Sequence, residues 1–339
     1  MEASRSVVYG CRMISFRSSV IDFLNAKGFH CEDEIPDPSC NEAFEVIKAS
    51  SEDGKTCRKI ILVSTQAESA EEAESRSLQI SKVLQEMDSQ PVIISEDRWN
   101  RQREISQARI LAHLEIFFPI YARNCEVRKI DKKTAADFLE KTHSYGHATC
   151  RYCYGLFLKR HTGHIAAMLS EVSDTPLPYM TEAGSLVGVA SFSNARKWAK
   201  GDKTIRSYEW TRYASLPHLR VIGGMGRILK AFIKDVQPDD IMSYADLEWS
   251  EGKVYEQLGF TLEGYKAPVC FRIDTEDWSR NVLGGQKCPP PCSVEHNTVP
   301  SEADTMAQGS TETDHKQNQL RFFQNFGSAK YRLKLTEYE

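Results

Sequence analysis

Three glycines within four positions, in RVIGGMG (220 to 226), stand directly ahead of the apolar run RILKAFI. SYEWTRYAS before them has the composition of a strand, GRILKAFIKDV after them has helical spacing, and DIMSYADLEWS then reads as another strand. A chain that runs strand, glycine turn, helix, strand is confined to α/β architectures, in which the helix packs back on the sheet. Backbone N–H groups at such a helix start have no intrahelical acceptor, and glycines let a phosphate approach without a Cβ in the way. The turn is not a P-loop, since no Gly-Lys-Ser/Thr follows, and it lacks the G-x-G-x-x-G spacing of dinucleotide folds. On the glycines alone it is an anion cradle or a plain turn.

The order of elements divides the chain. SSVIDFLNAKGF is spaced as a helix, AFEVIKAS and RKIILVST as strands, SAEEAESRSLQISKVLQEMDS as a helix with an acidic first turn, PVIISEDRW as a strand and NRQREISQARILAHLEIFF as a helix. These make a small α/β unit over residues 18–120. A second unit over 121–283 begins at CEVRKIDKKTAADFLEKTHSYG, continues through the strands YCYGLFLKR and SLVGVASFS to the glycine turn, and ends with a strand around APVCFRID. Residues 284–318 are poor in large apolar side chains and rich in Pro, Gly, Ser, Thr and acids, as a disordered linker is. The tail 319–339 regains aromatics and is expected to dock back as a helix end and a strand. Residues 1–17 carry Arg5, Arg12 and Arg17 against one acid, Glu2, which leaves an organelle-transit segment and a frayed terminus both open.

A net charge of −4 excludes a whole-molecule nucleic-acid or membrane signature, so any such signal must be local. No apolar run approaches the roughly 20 residues of a membrane helix, and the ten cysteines are scattered, so an intracellular protein of cytoplasm or nucleus, with organelle import open, is expected.

EGKVYEQLGF (251 to 260) sharpens the glycine turn, because it places Tyr255 in a short helix ending at Gly259 and Phe260. With V-x-x-G-x-G at Val221, Gly224 and Gly226, the sequence resembles the GCN5-related N-acetyltransferases, whose turn is usually R/Q-x-x-G-x-G/A and whose last helix ends Y-x-x-x-G-F. Over residues 92 to 275, segments such as IISEDRW, LVGVASFS, YEWTRYA and SYADLEWSEGKVYEQLGF are similar to phage and bacterial proteins in which this domain follows a remnant of a very-short-patch-repair-like or homing endonuclease. That group is akin to the phage Mom protein, which modifies adenine in DNA. The resemblance implies a mixed α/β acetyltransferase sheet with flanking helices, preceded by a small endonuclease-like α/β domain. It implies acetyl-CoA or another acyl-CoA as cofactor, with Val221, Gly223, Gly224, Met225, Gly226 and Arg227 holding pyrophosphate and Ser250 and Gly252 beside it. Tyr255 takes the family's position of the acid.

The residues offer several bases. Asp246 alternates with Tyr244 and Glu248 along YADLEWS, close in sequence to Tyr255, and is the first choice. Glu209 and Arg212, three apart in a strand, are expected on opposite faces, and His143 ends a helix whose dipole would raise its pKa. His143, His147, Cys150 and Cys153, with Cys288 and Cys292 further on, invite a zinc reading, but Cys-x-x-Cys supplies only half of a site, so no metal is expected and the cysteines are read as thiols. The ten lysines and arginines from Arg196 to Lys234 surround the glycine turn in sequence and could serve CoA or nucleic-acid phosphates, with Trp198 placed to stack on a base. In the front unit, Glu96 and Asp97 of EDRW lack the acid-x-Lys partner that a nuclease metal site needs, so an inactive nuclease is expected. The expected function is N-acyl transfer by direct attack of an amine on a thioester, the acceptor a possible nucleic acid. Its rival is a non-catalytic DNA- or RNA-binding protein that kept the fold, which Val221, in place of the usual polar residue, favours.

Overall fold

A computed structural model describes residues 16–34, 44–87, 89–160, 182–283 and 321–337. The segments 1–15 and 284–318, and with them the transit, linker and Cys288–Cys292 expectations, lie outside the described residues.

The front unit is a four-stranded sheet of β1 (Phe29–Glu34), β2 (Phe44–Ser51), β3 (Cys57–Val63) and β4 (Val92–Ser95), in that spatial order. The first three are antiparallel; β4 lies parallel to β3 after a crossover through the helix Ala70–Glu86. That helix starts where the sequence says it should: Ser69 accepts a hydrogen bond from the Glu72 N–H, and Glu71 and Glu72 face the positive end of the dipole. β3 and β4 are apolar at successive positions because both faces are covered. Ile60, Leu62, Val92 and Ile94 pack with Val20, Leu24 and Trp99, while Ile61, Val63 and Ile93 pack with Ile80, Phe271 and Phe323.

PVIISEDRW does not stay a strand to its end. β4 stops at Ser95, and Glu96–Arg101 forms a helix, separated by Gln102 (φ −126°, ψ 49°) from a second helix Arg103–His113. The predicted helical run is therefore two helices, and its last residue, Phe118, opens β5 (Phe118–Tyr121).

The larger sheet has the spatial order β13 (Thr261–Lys266), β17 (Ser328–Lys334), β12 (Asp240–Asp246), β10 (Lys203–Ser215), β8 (Leu186–Phe192), β7 (Tyr152–Leu158) and β6 (Cys125–Lys129), with β9 (Arg196–Lys200) paired to the start of β10. β10 and β12 are parallel, joined over the helix Gly224–Val236, and their ladder covers only Ser207–Glu209 against Asp240–Met242. Beyond it the two strands part. The helix buries Ile228, Leu229 and Phe232 on the sheet; the Phe232 ring stacks on Phe192 at 3.9 Å and 3°, with Tyr152, Tyr154 and Tyr208 edge-on around it. Burying one such phenylalanine is worth about 1.5–3 kcal/mol.

β11 (Leu219–Ile222) precedes the glycine turn and pairs in parallel with β5, so the division expected at residue 120 falls inside a strand that belongs to the glycine-turn ladder. APVCFRID contributes β14 (Cys270–Ile273), which leaves the large sheet and joins β15 (Arg280–Val282) and β16 (Arg321–Gln324) against the front unit. The tail is two strands rather than a helix end and a strand. β17 inserts between β12 and β13, where Arg332 Nη1 donates to the fully buried Asp240 carboxylate at 2.7 Å.

Candidate functional site

Where β10 and β12 diverge there is a cavity of about 940 Å³, bordered by residues 209–220 of β10 and its exit, Tyr244–Asp246 of β12, the loop after the helix Lys132–Thr142, and the helix Arg103–His113. Its size suits a small-molecule ligand. Tyr255, Asp246, Glu209, Arg212, His143, Met225 and Ser250 all border it.

Tyr255 Oη lies 2.8 Å from Ser243 Oγ, which is itself 3.0 Å from the Trp210 carbonyl oxygen. When Ser243 donates to the phenol oxygen, Tyr255 keeps its own proton for a ligand in the cavity. Burial pushes the Tyr255 pKa up, so the hydroxyl keeps its proton at neutral pH; Arg212 opposes that shift and Glu209 adds to it. Ser243 carries no sequence motif. Only its place among the apolar middle residues of β12 hints that its hydroxyl is used.

Asp246 ends β12 with one carboxylate oxygen 3.3 Å from Arg98 Nη2 and the other accepting the Glu248 N–H at 3.1 Å. Burial raises its pKa, and the Arg98 charge only partly offsets this. Glu248 does not share the cavity with Tyr244 and Asp246 as the alternation predicts, because β12 has ended and the chain turns into the interface with the front unit. There Glu248 accepts from Ser95 Oγ at 2.9 Å and from Arg280 at 2.7 and 2.9 Å. Asp97 meets Arg280 at 2.6 Å, and Glu96 accepts from Gln66 Nε2 at 3.0 Å. The two acids of EDRW are thus engaged with protein donors, and no group of three or more metal-ligating side chains occurs among the described residues.

Glu209 and Arg212 both border the cavity, contrary to the opposite faces expected of a regular strand. A bulge between Trp210 and Arg212 in the ladder with β8 inserts one residue and restores the parity. Arg212 Nε donates to the Gly146 carbonyl at 3.2 Å, and Glu209 is almost fully buried.

The expectation for His143 is reversed. Its pKa is held well below the ordinary 6.5, first by burial and then by the Arg212 and Arg98 charges, which outweigh the helix end. Nδ1 accepts the Tyr145 N–H at 3.1 Å, so the neutral ring carries its proton on Nε2 and is a donor rather than a base. No motif marks Tyr145 either; it borders the cavity, with its ring 4.8 Å from the Arg98 guanidinium.

The glycines have separate duties. Gly223 is the N-cap of its helix at φ 76°, and a Cβ there would have room, with Ala122 Cβ at 3.7 Å. A Cβ on Gly224 would stand 2.6 Å from the Tyr213 hydroxyl, and one on Gly226 3.2 Å from Leu258, so these two permit close packing of the helix. The first helical bond runs from Arg227 N to Gly223 O, which leaves the N–H groups of Gly224, Met225 and Gly226 without intrahelical acceptors. Of Gly223 to Arg227 only Met225 borders the cavity. Val221 is turned into the core and paired with Ile120, so it can offer a ligand no side chain. Ser250 Oγ accepts the Gly252 N–H at 3.1 Å, and Gly252 (φ 81°) lies against the Tyr331 ring, which a Cβ would meet at 2.5 Å.

Two proximities of sequence are not proximities in space. The basic residues Arg196, Lys197, Lys200 and Lys203 sit on the β9–β10 hairpin, where Arg206 bonds the carbonyl of Gln237 at the C-terminal end of the glycine-turn helix. β10 spans 13 residues, about 40 Å of extended chain, so this cluster lies at the far end from the glycines. Trp198 Nε1 donates to Ser207 Oγ at 3.0 Å and is held by the hairpin. Among the residues weighed for zinc, the His147 ring is 2.9 Å from Glu140 and the His143 ring faces the Tyr145 backbone, while the two thiols contact each other.

No family model matches the chain, and no curated protein matches it. Among solved structures, the chain is similar to the acetyltransferase (GNAT family) from Bacillus anthracis, with 14% identity over 62% of this chain and 95% of that one at a TM-score of 0.27. No described helix is long and apolar enough to cross a membrane.

Proposed function

We propose that the chain is an acyl-CoA-dependent N-acyltransferase whose cavity receives an amine and a thioester side by side. The observation that carries this reading is a helix N-terminus that reaches, through Met225, a cavity bordered by a buried, protonated tyrosine and a carboxyl of raised pKa. Three backbone N–H groups, at Gly224, Met225 and Gly226, suit a pyrophosphate, and the dipole adds to them. Bound acyl-CoA supplies the activated acyl carbon. Asp246 takes the proton of the amine, Tyr255 gives one to the departing sulfur, and Ser243 holds the phenol in line. Arg212 and the Nε2–H of His143 are donors to the oxygen on which negative charge gathers.

A second reading has one observation behind it: the exposed basic hairpin far from the glycine turn suits a nucleic-acid backbone, either as the acceptor substrate or as the sole ligand of a chain without chemistry. Calorimetry with acetyl-CoA separates the two. Gly223→Asp puts a carboxylate beside the cradle at the cost of some strain at φ 76°, a region aspartate tolerates better than most residues, and is expected to weaken binding at least tenfold without unfolding the protein. No binding by the unmodified protein at millimolar acetyl-CoA, together with salt-dependent DNA binding, would overturn the acyltransferase reading.

A further inference from the structure

Cys150 and Cys153 are the one thiol pair in contact among the described residues, with Sγ atoms 3.3 Å apart. The two ends of this contact differ in setting and access. Cys153 belongs to β7, is buried among Ala135, Leu139, Val189 and Ala214, and its carbonyl accepts the Ile130 N–H at 3.1 Å. Cys150 is partly exposed and ends the loop whose residues 142–145 and 147–149 border the cavity. Gly146 in the same loop accepts from Arg212, so the loop is already in touch with the polar wall.

We propose that Cys150 and Cys153 are a hydroperoxide-responsive dithiol, Cys150 attacking and Cys153 resolving, whose disulfide fixes the loop 143–149 of the cavity wall to β7. The Cys150 thiolate attacks the hydroperoxide, breaking the O–O bond to leave a sulfenic acid and an alcohol, or water when the oxidant is hydrogen peroxide. The Cys153 sulfur then attacks the sulfenic sulfur and water leaves, so two thiols and one hydroperoxide give one disulfide, one alcohol and one water. A disulfide of about 2.05 Å is within reach of side-chain rotation from the observed contact. The surroundings fit these roles. Donation from the Cys153 S–H holds the Cys150 pKa at about 7 against its burial, with Lys132 and His147 assisting, while the same contact and burial raise Cys153.

Hydrogen peroxide titration of the full chain, alkylation and tryptic mass spectrometry test this directly, because cleavage after Arg151 leaves the two cysteines on separate peptides. The expected product is the cross-linked Cys150–Cys153 pair, formed at least tenfold faster than oxidation of Cys57, which is partly exposed and serves as the internal reference. In Cys153→Ser the Cys150 sulfenic acid should accumulate and be trapped by dimedone, and Cys150→Ser should leave Cys153 alkylatable. Oxidation of Cys150 no faster than Cys57, or capture of Cys150 by another cysteine, would overturn the dithiol. Unchanged amide exchange at 143–149 in the oxidised protein would overturn the loop fixation.

Discussion

Two polar clusters, each containing glutamate and arginine, meet at the end of β12 in different surroundings. On one side Ser95, Asp97, Arg98, Glu248 and Arg280 pair with one another in the seam between the two sheets. On the other, Glu209, Arg212, His143 and Tyr255 border a cavity large enough for a ligand. Asp246 sits on the border, tied to Arg98 by one oxygen and lining the cavity. Charges that pair in a seam specify how layers dock, whereas charges at the edge of a cavity, even when bonded within the protein, also face whatever binds there.

The seam breaks most readily at Arg280, which holds two almost fully buried carboxylates, Asp97 and Glu248. Arg280→Leu should destabilise the protein by about 3–5 kcal/mol in urea unfolding, since it leaves acids buried without their partner. A loss below about 1 kcal/mol would mean that the seam does not dock the sheets. The same seam sets an acid limit. Burial pushes Glu248 up, but Arg280 and Arg98 overcome it and hold the carboxyl at about 2 against an ordinary 4.5. Its stabilisation is therefore complete above 4.5 and is lost as the pH falls towards 2. His143, depressed below 6.5, acts in the same direction, because the unfolded chain takes up a proton there before the folded one does. Unfolding midpoints should fall with acid in these two windows, and His143→Gln should flatten only the upper one.

On the cavity side the effect should move from stability to rate. Tyr255→Phe deletes one hydroxyl bonded to Ser243, worth about 1 kcal/mol of stability, but should lower kcat of acyl transfer about a hundredfold, the low end of what a positioned acid contributes. Ser243→Ala, which leaves the phenol present but unheld, should fall between the two. Equal losses of stability in Arg280→Leu and Tyr255→Phe, with no effect on turnover in the latter, would erase the distinction between seam and site.

Much of the scaffold was legible because it is local. The acidic first turn of Ala70–Glu86, the apolar stripe of Gly224–Val236 and the glycine cap all act within a few residues of themselves. What was not legible depends on partners far along the chain. β17 inserts beside β12 from beyond residue 320, and beyond the end of β12 Glu248 is held by Arg280 and Ser95, neither of which any periodicity announces. The candidate acid Tyr255 was visible as a motif and its holder Ser243 was not. The His143 shift had the wrong sign because a helix end was weighed without two arginines supplied by other elements.

The smallest effect is expected where sequence proximity misled most. Arg196, Lys197 and Lys200 are exposed on β9, and the length of β10 separates them from the glycine turn. Replacing all three with alanine should change stability by no more than about 0.5 kcal/mol per site, as surface substitutions do, and leave acetyl-CoA affinity unaltered, since no part of the proposed cradle touches them. If nucleic acid is the acceptor, the same variant should reduce the slope of log K against log salt by roughly 2–3 for duplex DNA, one step for each lost phosphate contact. A fall in acetyl-CoA affinity would place the hairpin within reach of the cradle and undo the separation of the two ends. An unchanged salt slope would remove the hairpin from nucleic-acid binding and leave the acceptor to be sought among small amines that fit the cavity.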